Sequence, residues 1–269
     1  MTVAPITLTS LSLATLFVAI LPVVLYRRLR GPFAFDWRAT IAGIATFALF
    51  ATVIERALND YVLHGNAVTA NWLANPVVFV VYGALAAGVC EEVGRYIVMR
   101  MLARRKAGAP AAPDSTGLAY GIGHGGAEAW LVGVFVQLQW LVFAVLANRG
   151  ELDDHLANLT MDAVLRVHLI LASLSPQLAL VFAVERASAF VFQLGFSVLM
   201  WRGVRAGWWG ILPVAIVVHA LVDAPAAMYQ ARIVPLVAVD GAYALVAAVV
   251  AFVLFRLCRP LARGARTRT

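Results

Sequence analysis

Nine ionisable side chains stand inside apolar stretches of this sequence: Glu91, Glu92, Arg95, His124, Glu128, Glu185, Arg186, His219 and Asp223. A charge at the centre of a bilayer costs at least about 2.5–3.5 kcal/mol on insertion scales, so each needs a partner and a reason. Spacing supplies some partners. Glu91 and Arg95, His124 and Glu128, and His219 and Asp223 are each four residues apart, so each pair shares one face of a helix. Two histidines and several carboxylates, with no convincing serine or cysteine nucleophile, favour activation of water, with a glutamate as general base. His124, His219 and a carboxylate such as Glu128 would also make a three-ligand site for zinc (Zn2+) with one open position. The HExxH signature is absent, so the routes with and without a metal both stay open.

The elements that must carry these residues are helices in a membrane. The chain has 269 residues, 62% of them hydrophobic and 13% charged, where a soluble domain would carry roughly a quarter charged. Apolar runs of spanning length recur throughout. They place spans near 5–26, 38–56, 76–101, 116–147, 180–201, 208–228 and 237–257. Residues 160–176 are interrupted by His168, Ser175 and Pro176 and read as an interfacial helix, an eighth span being the alternative. The expected fold is an all-α polytopic transmembrane bundle, one membrane domain over 1–269 with its motifs in 76–230. Two linkers stand out: a Pro/Ala loop over 103–116 and a polar loop over 148–159.

Charge sets the expected orientation. The net charge is +7, but the basic residues gather in short segments at span ends, which excludes a nucleic-acid patch. Seven spans with the N-terminus outside give the cytoplasm Arg27, Arg28, Arg30, Arg38, Arg100, Arg104, Arg105, Lys106, Arg202, Arg205 and the C-terminal arginines. The outer side receives Arg56, Arg149, Arg166 and Arg232 beside the acidic Glu151, Asp153 and Asp154. That is the positive-inside pattern. Basic residues follow the first apolar run and none precedes it, the reverse of a cleavable signal. Cys90 and Cys258 fall too far apart along the expected bundle to bridge.

Depth strengthens the case for a site. Counted from the cytoplasmic ends of their spans, Glu91, His124, Gln193 and His219 all lie roughly 12–17 Å in, although two helices run inward and two outward. Gly117, Gly121 and Gly125 repeat every four residues beside His124. That spacing serves close helix packing, and it would equally leave room for a substrate backbone.

The runs EEVGRY (91–96), GIGHGGAEA (121–129), ERASAFVFQLGFSVL (185–199) and HALVDAPAAMYQ (219–230) resemble the YhfC-type intramembrane metalloproteases. That family is similar to the type II CAAX prenyl endopeptidases and bacteriocin-processing proteases. The resemblance implies a multi-pass protein of a bacterial plasma membrane. It implies that Glu91, Glu92 and Arg95 match the double glutamate and arginine that supply the general base, although the larger group spaces the arginine one residue further on. Tyr120 and His124 match an aromatic-xxx-His motif, and His219 with Asp223 a final His-xxx-Asn-like motif that stabilises the oxyanion. Where this chain has Gln193 the family pattern often has histidine. Glutamine is a poor zinc ligand, so the departure counts against a metal and leaves a glutamate–histidine mechanism intact.

The expected function is therefore an intramembrane endopeptidase acting in the cytoplasmic half of the bilayer on a peptide or membrane-protein substrate. Glu91, Glu92, His124, His219 and Asp223 are the expected catalytic set. Arg95 is expected to serve as a charge partner, Glu128 and Gln193 as supports, and Glu185–Arg186 as a structural pair across helices. His64, His155 and His168 fall near outer loops, and Trp208 and Trp209 read as interface anchors. An ion-coupled transporter and an inactive protease-like scaffold are the competing readings. The sequence shows no internal symmetry of the transporter kind.

Overall fold

A computed structural model describes residues 2–105 and 114–266, with side chains up to Leu257. Among the described residues there is helix and no strand, and seven helices are long and apolar enough to cross a membrane. These are α1 (Pro5–Leu29), α2 (Trp37–Gly65), α4 (Pro76–Arg105), α5 (Ser115–Arg149), α8 (Pro176–Arg205), α9 (Ile211–Gln230) and α10, apolar over Leu236–Leu257. Shorter helices α3 (Ala67–Leu73), α6 (Leu152–His155) and α7 (Met161–Ser173) lie between them. The chain is an all-α, multi-pass membrane bundle.

Local chemistry explains most boundaries. Pro5 and Pro176 open α1 and α8 at positions where a missing N–H costs nothing. Asp36 caps α2 by accepting from the Arg38 amide at 3.0 Å. Ser175 caps α8 by accepting from the Leu178 amide at 3.2 Å. Two of the three residues that interrupt the 160–176 run, Ser175 and Pro176, are thus the cap and first turn of the next span. Ser175→Ala is expected to cost about 1 kcal/mol of stability, read as a lowered unfolding midpoint in detergent. Within the helices, hydroxyls are satisfied locally: Thr15, Thr46 and Thr52 donate to carbonyls one turn back, at 2.7, 2.7 and 2.5 Å.

The α7 helix has 13 residues, about 20 Å at 1.5 Å per residue, against roughly 30 Å of hydrocarbon. It does not span. It packs Val167 and Leu171 with Leu152 and Leu156 onto Ala144 and Ala147 near the end of α5, and His168 meets Asp153 at 2.8 Å. The same end is tied to the N-terminal segment. The Val3 amide donates to Asn148 Oδ1 at 2.6 Å, and Asn148 Nδ2 donates to the Val3 carbonyl at 2.9 Å.

Four expectations need correction. The second span does not end at 56. Arg56, Asn59 and Asp60 stop the apolar run, but the helix carries on to Gly65 through two π segments, Phe50–Glu55 and Tyr61–Gly65. The fifth starts at Pro176 rather than 180. The sixth starts at Ile211, so Trp208 and Trp209 sit exposed in the turn before it. Gly207 makes that turn at φ +68, where a side chain would be strained. The 103–116 loop is shorter than expected, because α4 continues to Arg105 and α5 starts at Ser115. Lys106 and the Pro/Ala stretch fall outside the described residues, as does the Cys258 side chain; Cys90 is a buried free thiol.

The site is built by α4, α5, α8 and α9. The α9 helix lies along α4, and α5 is held between α2 and α8. Arg202 of α8 closes the near end with two bonds to Asp114, at 2.9 and 2.6 Å. The glycine repeat of α5 is a packing face. A Cβ at Gly117, Gly121 or Gly125 would come within 2.9–3.0 Å of Trp201, Ser197 or Gln193 of α8. No room for a substrate backbone remains on that side.

Candidate active site

At the centre is Arg95, fully buried on α4. Its guanidinium reaches side chains of α5 and α8 directly, and α9 through Glu92. Nε donates to Glu92 Oε1 at 3.1 Å, and Nη1 donates to Ser197 Oγ and, at 3.4 Å, to the Gln193 carbonyl. Nη2 donates to Gln193 Oε1 at 2.5 Å and lies 3.3 Å from His124 Nε2 and 3.7 Å from Glu91 Oε2. The Tyr120 and Phe196 rings each stand 5.9 Å from its central carbon, favourable contacts for a desolvated cation.

Two glutamates one residue apart point about 100° apart on a helix, so they meet different neighbours. Glu91 Oε2 faces His124 Nε2 at 2.9 Å and accepts from Gln193 Nε2 at 3.0 Å. Glu92 Oε1 faces His219 Nδ1 at 2.8 Å, and His219 Nε2 lies 3.3 Å from Asp223 Oδ2. Burial separates them further. The Glu92 side chain is 0% exposed and that of Glu91 9%, so of the pair only Glu91 can meet water.

Aromatic rings hold both imidazoles. Phe47 of α2 meets His124 edge-on with centroids 5.2 Å apart, and Tyr120 stacks on it at 5.7 Å. Phe196 stacks on His219 at 4.5 Å.

Beside this core is a small cavity of about 110 Å³. His219, Asp223, Gln193, Glu128, Glu185, Arg186 and Tyr243 line it with the Phe192 and Phe196 rings. Gln193 links cavity and core, since its amide nitrogen also donates to Glu128 Oε2 at 2.9 Å. Arg186 binds Glu185 at 2.5 Å and reaches Glu128 across helices at 3.4 Å. The cross-helix pair thus joins Arg186 to Glu128, with Glu185 a neighbour on the same helix.

All ten residues singled out from the sequence therefore fall in one connected network. Ser197, Phe47 and Phe196 were missed; they are ordinary residue types whose role appears only across helices. Two acids inside spans were also missed. Glu55 accepts from Asn59, whose Oδ1 accepts from the Tyr82 hydroxyl. Asp240 of α10 is buried, with no hydrogen-bond partner on either carboxylate oxygen. Both lie near the ends of their apolar runs, where an acid reads as a boundary.

The metal set expected from the sequence does not converge. His124 is engaged with Glu91 and Arg95, His219 with Glu92 and Asp223, and Glu128 with Gln193 and Arg186. Among the described residues, no three His, Cys, Asp or Glu side chains are grouped to hold an ion. A ligating histidine normally donates its second ring N–H to a supporting acceptor, whereas His124 Nδ1 is buried with no partner. The residues present do not fit a bound metal.

Comparison with known proteins places this arrangement in a family. The model of the YhfC intramembrane metalloproteases matches residues 17–244. The uncharacterized membrane protein YhfC of Bacillus subtilis (strain 168) is 31% identical over 240 residues, covering 88% of this chain and 91% of that relative. No solved structure matches. The match takes in every residue of the buried network, and the chain belongs to the YhfC intramembrane metalloprotease family.

Proposed function

We propose that this protein is an intramembrane endopeptidase that hydrolyses a peptide bond of a membrane-embedded substrate with water activated by Glu91. The observation that carries this reading is the pairing of a glutamate at the edge of the buried core, its side chain 9% exposed, with a fully buried histidine, Glu91 Oε2 to His124 Nε2 at 2.9 Å, inside a membrane bundle.

In the proposed reaction, water attacks the scissile carbonyl carbon and Glu91 takes its proton. The carbonyl oxygen gains the negative charge and is met by the His219 Nε2–H, which turns to it from its 3.3 Å contact with Asp223. Glu91 then returns the proton to the leaving nitrogen as the C–N bond breaks. Glu92 is fully buried and serves to position His219 through Nδ1; Asp223 does the same from Nε2. His124 orients Glu91. The arginine and lysine distribution supports an N-terminus outside and the site in the cytoplasmic half of the bilayer.

The test uses wild-type protein in detergent and a library of membrane-spanning reporter peptides, with products identified by mass. Discrete cuts within or beside the apolar segment are expected. They should fall at least about 10²-fold in His124→Ala, measured on variant protein that still unfolds cooperatively. Cuts that survive this substitution unchanged would point to a contaminating protease and remove the proposal.

A further inference from the structure

The family's name calls for a metal, and the geometry around Glu91 and His124 puts another cation in its place. An ion ligated by both would stand about 2.0–2.2 Å from each. The two atoms are 2.9 Å apart, and Arg95 Nη2 forms the third corner of their triangle at 3.3 and 3.7 Å. An ion between them on that side would lie against the guanidinium. From α8, Gln193 Nε2 donates to Glu91 Oε2 at 3.0 Å, so that approach presents a proton and no lone pair. The amide is fixed in this sense because its oxygen is turned to Arg95 at 2.5 Å. The position is also built for arginine. The guanidinium is enclosed by Tyr120 and Phe196 and finds acceptors on Glu92, Gln193 and Ser197.

We propose that the Arg95 guanidinium occupies the position of a catalytic metal in this chain, fixing Glu91, His124 and Gln193 as ligation would, so that the protein binds no metal at this site. Arg95 is a positioning residue. It is fully buried and acts through the groups it holds. The inference rests on the active-site reading only for what Glu91 does, and not for the binding behaviour that tests it.

The experiment reads binding and stability first. Wild-type protein is incubated with zinc and with manganese, desalted, and analysed for metal. The expected result is far less than one ion per chain and no change in unfolding midpoint with either metal. About one ion per chain, lost in His124→Ala, overturns the proposal. In parallel, Arg95→Ala is titrated with methylguanidinium at millimolar concentration, with methylammonium as control. Methylguanidinium is expected to raise the midpoint of the variant and not of the wild type, and to restore part of any cleavage lost; methylammonium should do neither. A folded variant indifferent to methylguanidinium overturns the positioning role. If Arg95→Ala does not fold, the wild-type metal content decides alone. Failure of every reporter peptide to be cut would count against the protease reading and leave these binding results standing.

Discussion

Glu91→Gln is expected to reduce peptide cleavage by about 10²- to 10⁴-fold, the range lost with a general base, while the protein stays folded. The substitution is nearly isosteric. Its amide oxygen can still accept from Gln193 Nε2, now 3.0 Å from Glu91 Oε2. Arg95 keeps Glu92 at 3.1 Å, so the buried guanidinium retains a carboxylate. Glu92→Gln instead removes the charge of that pairing, and of the contact with His219 at 2.8 Å, from a fully buried position. Breaking a buried pair from one side costs roughly 3–5 kcal/mol, so stability and activity should fall together. Initial rates on one reporter and unfolding midpoints in the same detergent, measured for both variants, separate the roles. Equal stability losses in the two would show that Glu91 is structural.

Gly43→Ala should be among the most damaging single methyls in the bundle. A Cβ there would sit 2.2 Å from the Tyr120 carbonyl oxygen and 2.8 Å from the His124 amide nitrogen. Both are backbone atoms of α5, so neither can swing aside, and α2 must move away from the helix that carries His124. Overpacking of this kind costs typically about 1–3 kcal/mol. The catalytic loss should be larger than the stability loss implies, because a displacement of about 1 Å can cost 10²-fold in rate. Gly31→Ala is the control, having nothing within 4 Å of its Cβ, and should match wild type in midpoint and rate. A Gly43→Ala variant with wild-type activity would show that His124 does not depend on α2.

The sequence and the structure agree best where a property repeats along a helix. Seven spans followed from apolar length. The common depth of Glu91, His124, Gln193 and His219 foretold their meeting, because rise per residue is nearly constant. Agreement ended where neighbours on other helices decide. Spacing paired Arg95 with Glu91 at i,i+4, yet the closer contact is to Glu92 at i,i+3, and the tightest are to Gln193 and Ser197 on α8. Spacing also treated Glu91 and Glu92 alike, and only cross-helix packing leaves one of them touched by solvent. Hydropathy reads contact with lipid and not hydrogen bonding, so the polar residues at 56–60 ended a span that the helix itself continues. Nothing in the residue types signalled the π segments.

A third π segment, Ala129–Val134 of α5, directly follows Glu128. A π turn inserts one residue's worth of rotation into a helix. It therefore acts as a phase adjuster between two halves with separate obligations. The first half matches its small residues to α2 and α8 and aims His124 at Glu91. The second half matches Ala144 and Ala147 to α6 and α7 and holds Val3 through Asn148. Because the phase is reset in between, the far end of the helix can be rebuilt by substitution without turning the imidazole away from its glutamate. The site is in this sense insulated from changes at the opposite membrane face.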